Sequence, residues 1–286
     1  MGVRRLANML ILVGSGSIPI LASLAGASEE AAGHAEGHPE LPNIITIIYD
    51  QFSSTAVVQF LHHWEDVFFS LLITLFLGIL CYTATRKPQL VPRGLQNFLE
   101  MIVEALSNFV CGILGEEGKR YVPFLGTLFI YILCMNLFGL VPGMKSPSAS
   151  INTTAALAIT VFVYVQYTGI RKLGVIGYLD HFAGRPRDLV GIMLVPLMFP
   201  LHIISELAKP LSLSLRLFGN ILGEDVLIAV FVALGVGILA FTNLPMGVPI
   251  HFPFVFLAML TSAVQALVFA ALSTIYFLMM FPQEGH

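Results

Sequence analysis

The stretch 209–241, KPLSLSLRLFGNILGEDVLIAVFVALGVGILAF, carries Arg216 inside a run otherwise apolar enough to enter a bilayer. A charged side chain at the centre of a membrane helix costs about 2.5–3.5 kcal/mol even on the gentler insertion scales. Lys209, Glu224 and Asp225 stand close by, so one segment accepts that penalty repeatedly. Two explanations are open. Either these groups serve something charged that passes or binds, or Arg216 forms a buried structural ion pair with Glu224 or Asp225. Function is the default reading of an ionisable residue at that depth.

The rest of the chain supports the membrane reading. Hydrophobic residues make up 57% of it and charged residues only 11%, against about 25% charged in a soluble domain. The net charge of −3 says nothing about nucleic acid, and no basic cluster suggests such a partner. Cys81, Cys111 and Cys134 are isolated, with neither metal-type nor paired spacing, and read as small apolar residues. The expected fold is an all-α membrane protein. It has about five membrane-embedded helices, an interfacial amphipathic helix, and a long tilted C-terminal helical hairpin.

Residues 1–27 have the form of a signal peptide: Arg4 and Arg5, then an apolar core, then small residues at Ala25-Gly26-Ala27. Residues 28–62 read as a polar extracytoplasmic arm. Its His34 and His38 are better read as part of a solvated tail than as a metal site, since four ligands are not in sight. The membrane domain then covers 63–286. Spans are expected at 67–85, 121–141 and 151–170, each near the roughly 17–25 residues that a crossing needs. Between the first two, Leu95–Leu114 is interrupted by Gln96, Asn97, Glu100, Glu104, Ser107 and Asn108 at helical intervals. That pattern suits an amphipathic helix at the interface. Two longer apolar segments, 189–242 and 252–281, flank the proline-rich turn NLPMGVPIHFP and form the hairpin. The first must bend or tilt to fit a bilayer, and Pro196, Pro200 and Pro210 offer bending points.

Lysine and arginine set the orientation. The segments after the first and third spans contain Arg86, Lys87, Arg93, Lys119, Arg120, Arg171, Lys172, Arg185 and Arg187, while the loop 142–150 contains only Lys145. By the positive-inside rule the richer segments are cytoplasmic and the Lys145 loop is outside. The mature N-terminus is then outside and the C-terminus cytoplasmic.

At about 100° per residue, His202, Lys209, Ser212, Arg216 and Asn220 fall within roughly 40° of one helical line. Glu206 and Glu224 lie on the broader polar side, and Asp225 points the opposite way. From His202 to Glu224 this side extends about 33 Å, near the hydrocarbon thickness. Polar groups at that depth must face protein or water, so the stripe reads as the wall of an ionic pathway. In the last segment the most polar residue is Gln265, flanked by Thr261 and Ser262. It is either an interhelical hydrogen-bonding group or a pathway residue facing Arg216.

LAKPLSLSLRLFGNILGEDVLI, YVPFLGTLFIYILCMNLFGLVPG, INTTAALAI and SAVQALVFAALSTIYF together resemble subunit a of the F-type ATP synthase membrane sector, over about residues 60–282. The SLRLFGN string is the most specific of these. The resemblance implies a non-catalytic stator offering two offset half-channels to a rotating ring of c subunits. It also implies a b-subunit peripheral stalk and, through that stalk, a soluble ATPase head. The family's essential arginine falls on Arg216, its asparagine on Asn220, its last-helix glutamine on Gln265, and its acidic position on Asp225 with Glu224 beside it. There are departures. His202 stands where members often have glutamate, with Glu206 one turn later, and Ala258 stands at a last-span position that is often histidine.

The physics of such a stator turns on one cation. A ring carboxylate crossing lipid must be neutral, whereas beside Arg216 it can ionise, because an adjacent cation favours the charged form. A guanidinium does not give up its proton, so Arg216 would act as an electrostatic gate and not as a carrier. No nucleotide-phosphate motif is present and no cofactor is expected. The transported ion is expected to be H⁺, with a Na⁺-translocating version as the alternative. A self-contained secondary transporter with its site at Arg216 is a rival reading, but the two halves show none of the internal similarity common in transporters.

Overall fold

The computed structural model describes residues 43–46, 49, 56–86, 93–182, 189–239 and 249–281. The signal segment, most of the arm, the Arg185 and Arg187 loop, and the hairpin tip at 240–248 lie outside the described residues. Every described element is helical. In chain order these are α1 (Ala56–His63), α2 (Glu65–Thr85), α3 (Leu95–Leu114), α4 (Val122–Phe138), α5 (Ile151–Phe182), α6 (Leu189–Leu239) and α7 (Phe252–Met279). Short 3₁₀ turns at Gly115–Arg120 and Pro147–Ala149 precede α4 and α5. Five helical stretches are long and apolar enough to cross a membrane, and the 17-residue α4 is a shorter apolar helix. The chain is a multi-pass, all-α membrane protein.

α4 is the hub. It packs against α2, α3 and α7, and α7 also touches α3, α5 and α6. Leu125, Leu128, Ile132 and Met135 of α4 and Phe269 and Phe277 of α7 are fully buried. Lipid is as apolar as these side chains, so close packing and interhelical hydrogen bonds hold the bundle, more than water exclusion does. One such bond joins Ser70 of α2 to the Tyr131 hydroxyl of α4 at 2.5 Å. In α3 the buried residues Leu99, Leu106, Val110 and Leu114 form one stripe, as the amphipathic pattern predicts. Its length and composition would also permit a crossing.

At one end of the bundle the 139–150 segment folds tightly onto α4. Gly139 makes this possible, since a Cβ there would come 2.6 Å from that of Ser146. The Ser146 hydroxyl donates to the Met135 carbonyl, and Ser148 donates to Asn136 Oδ1 at 2.6 Å. Lys145 pairs with Glu65 at 2.5 Å and Asp66 at 3.7 Å in the first turn of α2. Asn43 donates to the same Glu65, and the Ile44 amide bonds the Gly143 carbonyl. At the opposite end Lys172 lies 3.4 Å from the Phe281 ring centroid and pairs with Glu117. Beside it Phe277 meets Tyr121 in a tilted contact and Tyr164 edge-on.

One length differs from the sequence expectation. α5 continues twelve residues past the expected end at 170, to Phe182, with a break at Gly174. There φ is 70°, a left-handed value that glycine adopts at little cost. α6 runs helical for 51 residues with Pro196, Pro200 and Pro210 inside it. At 1.5 Å per residue that is about 76 Å, more than twice a bilayer core.

Cysteines placed at Val141 and at Glu116, both exposed, test the orientation in a background without the native cysteines. An impermeant thiol reagent should label the Val141→Cys variant only from outside and Glu116→Cys only from the cytoplasmic face. The reverse pattern would invert every side assignment below.

Candidate functional site

The site is built on α6, whose apolar face is exposed along Leu201, Ile204, Leu207, Leu211, Leu215, Leu227 and Val230. Arg216 is exposed on this helix, as are Ser212 and His202. Among the described residues Arg216 makes no hydrogen bond or ion pair. The structural ion pair with Glu224 or Asp225 is therefore not formed. Behind it, Leu213, Leu217 and Ile221 are buried and fix the rotation of the helix.

Two polar clusters flank Arg216 along the axis. Toward the Lys172 end, Glu206 and Lys209, both half-buried, form an ion pair one helical turn apart. Gln166 of α5 donates its Nε2 to Glu206 Oε2 at 3.1 Å, and the Tyr178 hydroxyl donates to Gln166 Oε1 at 2.6 Å. Tyr276 of α7 closes this cluster, its ring centroid 5.5 Å from Lys209 Nζ. Toward the Lys145 end, Asn220 donates Nδ2 to Glu224 Oε1 at 2.6 Å. Thr261 and Ser262 of α7 approach the same carboxylate. Asp225 turns to a different face and lines a cavity of about 420 Å³ together with Lys145, Ser146 and His251.

α6 and α7 run antiparallel in one register. Phe231 stacks on Phe254 at 3.9 Å, Glu224 faces Thr261, and Lys209 faces Tyr276. Continuing that register places Gln265 level with Asn220, about one turn from Arg216. Gln265 is buried, and its Nε2 finds no partner among the described residues. Leaving a buried donor unmet costs about 1–3 kcal/mol.

The ATP synthase A chain family profile matches residues 20–278. ATP synthase subunit a of Protochlamydia amoebophila is 50% identical over 247 residues, covering 86% of this chain and 91% of that protein. The protein of the same name from Solidesulfovibrio magneticus is 46% identical over 210 residues, covering 73% and 79%. That of Moorella thermoacetica is 42% identical over 206 residues, covering 72% and 84%. The chain belongs to the ATP synthase A chain family. Membership makes it a component of the ATP synthase complex.

Within this family member the stripe read from the sequence is divided, and not continuous. Lys209 and Glu206 form one knot and Asn220 and Glu224 another, with Ser212 and Arg216 exposed between them. His202 is exposed near the Lys172 end, one turn before Glu206. Asp225 keeps the off-stripe direction that helical arithmetic gives it, because α6 does not break there. Gln166, Tyr178, Tyr276 and His251 were not singled out from the sequence, and Lys145 only as a marker of topology. Gln166 had a signal, since it is an amide within an apolar span and such groups seek interhelical partners.

The Lys145 anchor gives a stability test. Lys145→Met removes the cation between Glu65 and Asp66 and should destabilise the subunit by about 3 kcal/mol, the scale for breaking a poorly solvated pair. Lys145→Arg should restore most of that loss. Thermal denaturation of the detergent-solubilised complex reads both, and equal melting of Lys145→Met and the parent would remove the anchor role.

Proposed function

We propose that this chain is the proton-conducting stator of an F-type ATP synthase, presenting two half-channels to a rotating c-ring. The observation that carries it is Arg216: a cation exposed on an apolar helix face, without an intramolecular partner among the described residues, between two polar clusters. Such a charge is tolerable in a bilayer only against a complementary charge or water. A ring of subunits each bearing one carboxylate supplies that charge repeatedly.

In this reading protons enter from outside through the 420 Å³ cavity beside Asp225 and His251. They reach the ring through Glu224, Asn220 and Gln265. A protonated ring carboxylate turns through lipid and arrives beside Arg216 from the other side. There the guanidinium favours its ionised form, and the proton leaves past Ser212 to Glu206, Lys209 and the cytoplasm near His202. Arg216 separates the routes because a guanidinium neither accepts nor donates a proton. Each ion falling through 100 mV yields about 2.3 kcal/mol, so several must pass per ATP, and a ring delivers many. The chain itself is non-catalytic. Its partners are the c-ring, the b-subunit stalk, and the ATPase head reached through that stalk. The setting is the bacterial inner membrane, with the mature N-terminus outside and the C-terminus cytoplasmic.

Removing Arg216 is the direct test. Arg216→Ala should abolish coupled ATP synthesis and allow passive proton leakage, because ring sites could cross between channels still protonated. Arg216→Lys keeps a cation but loses the planar five-donor fork. It should assemble, fail at synthesis, and leak no more than the alanine variant. Proton flux and ATP synthesis in reconstituted vesicles measure these, and coupled synthesis by Arg216→Ala would end the reading.

For the outer route, Glu224→Gln retains an acceptor for Asn220, so the complex should assemble while synthesis falls about tenfold, equivalent to roughly 1.4 kcal/mol. Asp225→Asn distinguishes the cavity-lining carboxylate in the same assay. Full activity in both single variants and the double variant would exclude these carboxylates from the path.

A further inference from the structure

Glu206 is held from two helices at once. Its Oε1 takes the Lys209 ammonium on α6, and its Oε2 takes the Gln166 amide from α5. The amide is in turn fixed by Tyr178, whose hydroxyl donates to Gln166 Oε1. This chain has only one workable polarity. With the amide turned over, the Gln166 carbonyl would face a carboxylate, acceptor against acceptor. Tyr178 reaches Gln166 because α5 breaks at Gly174, where φ 70° and ψ 166° redirect the backbone. The Tyr178 ring then lies over Gly169, where a Cβ would stand 3.3 Å from Cε2. Twelve residues of α5 thus close on themselves to present one amide to α6.

We infer that Gln166 and Tyr178 are positioning residues for Glu206, holding its carboxylate in one orientation at the cytoplasmic end of the ion path. The inference rests on the stator reading above and adds two residues that the sequence motifs do not include. The charged and titratable groups facing Glu206 are Lys209 on its own helix, Tyr178 from α5 and Tyr276 from α7. Between these helices lies a crevice of about 10 Å³, walled by Phe162, Val165, Leu213 and Tyr276 and reaching Glu206 and Lys209. That is room for about one water. A proton passing here leaves the ring site, binds a Glu206 oxygen and departs to cytoplasmic water, while Lys209 keeps its charge throughout. With so little water to adapt, transfer depends on where the protein holds the carboxylate. Misplacing a reacting group by about 1 Å costs up to roughly 10²-fold.

The test uses the whole complex in vesicles, with three variants. Gln166→Met keeps the side-chain length without the amide, Tyr178→Phe keeps the ring without the hydroxyl, and the third combines them. Maximal synthesis should fall about tenfold in Gln166→Met and about threefold in Tyr178→Phe, within the range that misplacement allows. The double variant should be close to Gln166→Met, because once the amide is gone the Tyr178 hydroxyl can no longer orient it. The outside proton concentration giving half-maximal synthesis should not move, since the lesion lies on the other side of Arg216. Unchanged rates, additive losses in the double variant, or a shift in that outside concentration would each overturn the inference. If Gln166→Met does not assemble, Tyr178→Phe alone decides by its rate. Arg216→Ala in the same assay keeps the two ideas separate. If it stays coupled, the stator reading fails. If it uncouples while Gln166→Met works normally, only the positioning role fails.

Discussion

A guanidinium with no hydrogen bond or ion pair among the described residues is the constraint around which this molecule is arranged. Glu206 and Glu224 lie on either side of Arg216 on α6, about 15 Å and 12 Å away along the axis at 1.5 Å per residue. Neither is left to reach for it. Glu206 is engaged by Lys209 and Gln166, and Glu224 by Asn220 with Thr261 and Ser262 beside it. A subunit optimised for its own stability would have paired the arginine with one of these carboxylates, because an unpaired ion in a low-dielectric setting is expensive. Instead each carboxylate is satisfied locally, and the cation remains available at the surface.

Keeping that cation in place requires a rigid support, which α7 and α4 provide. The stacked Phe231–Phe254 pair and the Lys209–Tyr276 contact lie at opposite ends of a single antiparallel register between α6 and α7. α7 is fixed in turn by the fully buried Phe269 and Phe277 and by Phe281 beneath Lys172. A slip of α6 by one turn would move Arg216 about 5.4 Å and break all three registered contacts together. The Lys145–Glu65 pair and the buried Ser146 and Ser148 hydroxyls secure the other end of the bundle, where the large cavity opens.

Much of this was legible in the sequence because bilayer physics is severe. Runs of apolar residues at spanning length became α2, α4, α5, α6 and α7, and the charge string around Arg216 marked the site. Asp225 was placed off the stripe by arithmetic alone, and the unbroken α6 keeps it there. What was not legible depended on partners distant in sequence. The third span looked finished at Ile170 because Arg171 and Lys172 resemble loop residues. The helix continues because Lys172 has an aromatic bed on Phe281 and an acidic partner in Glu117, neither of them local. Ser148 reads as an exposed loop residue, yet it is buried because Asn136 of α4 accepts its hydroxyl proton. The reversal at Gly174 leaves no periodic trace, so nothing in the string 166–178 announces that Tyr178 returns to Gln166.

That reversal also bears on Glu206, one turn after the exposed His202. In this chain the carboxylate on the same side of Arg216 is Glu206, about 6 Å nearer to the arginine along the helix. A glutamate at this position faces α5, and needs a donor there to be held in a single orientation. Gln166 is that donor, and the break at Gly174 supplies Tyr178 to hold the other end of the amide. Lys209, three residues on, is in range of Glu206 but not of His202, so the ion pair follows the carboxylate as well. The acid, the amide and the broken helix therefore act as one unit, since removing the acid or the amide alone would leave a half-buried polar group without its partner.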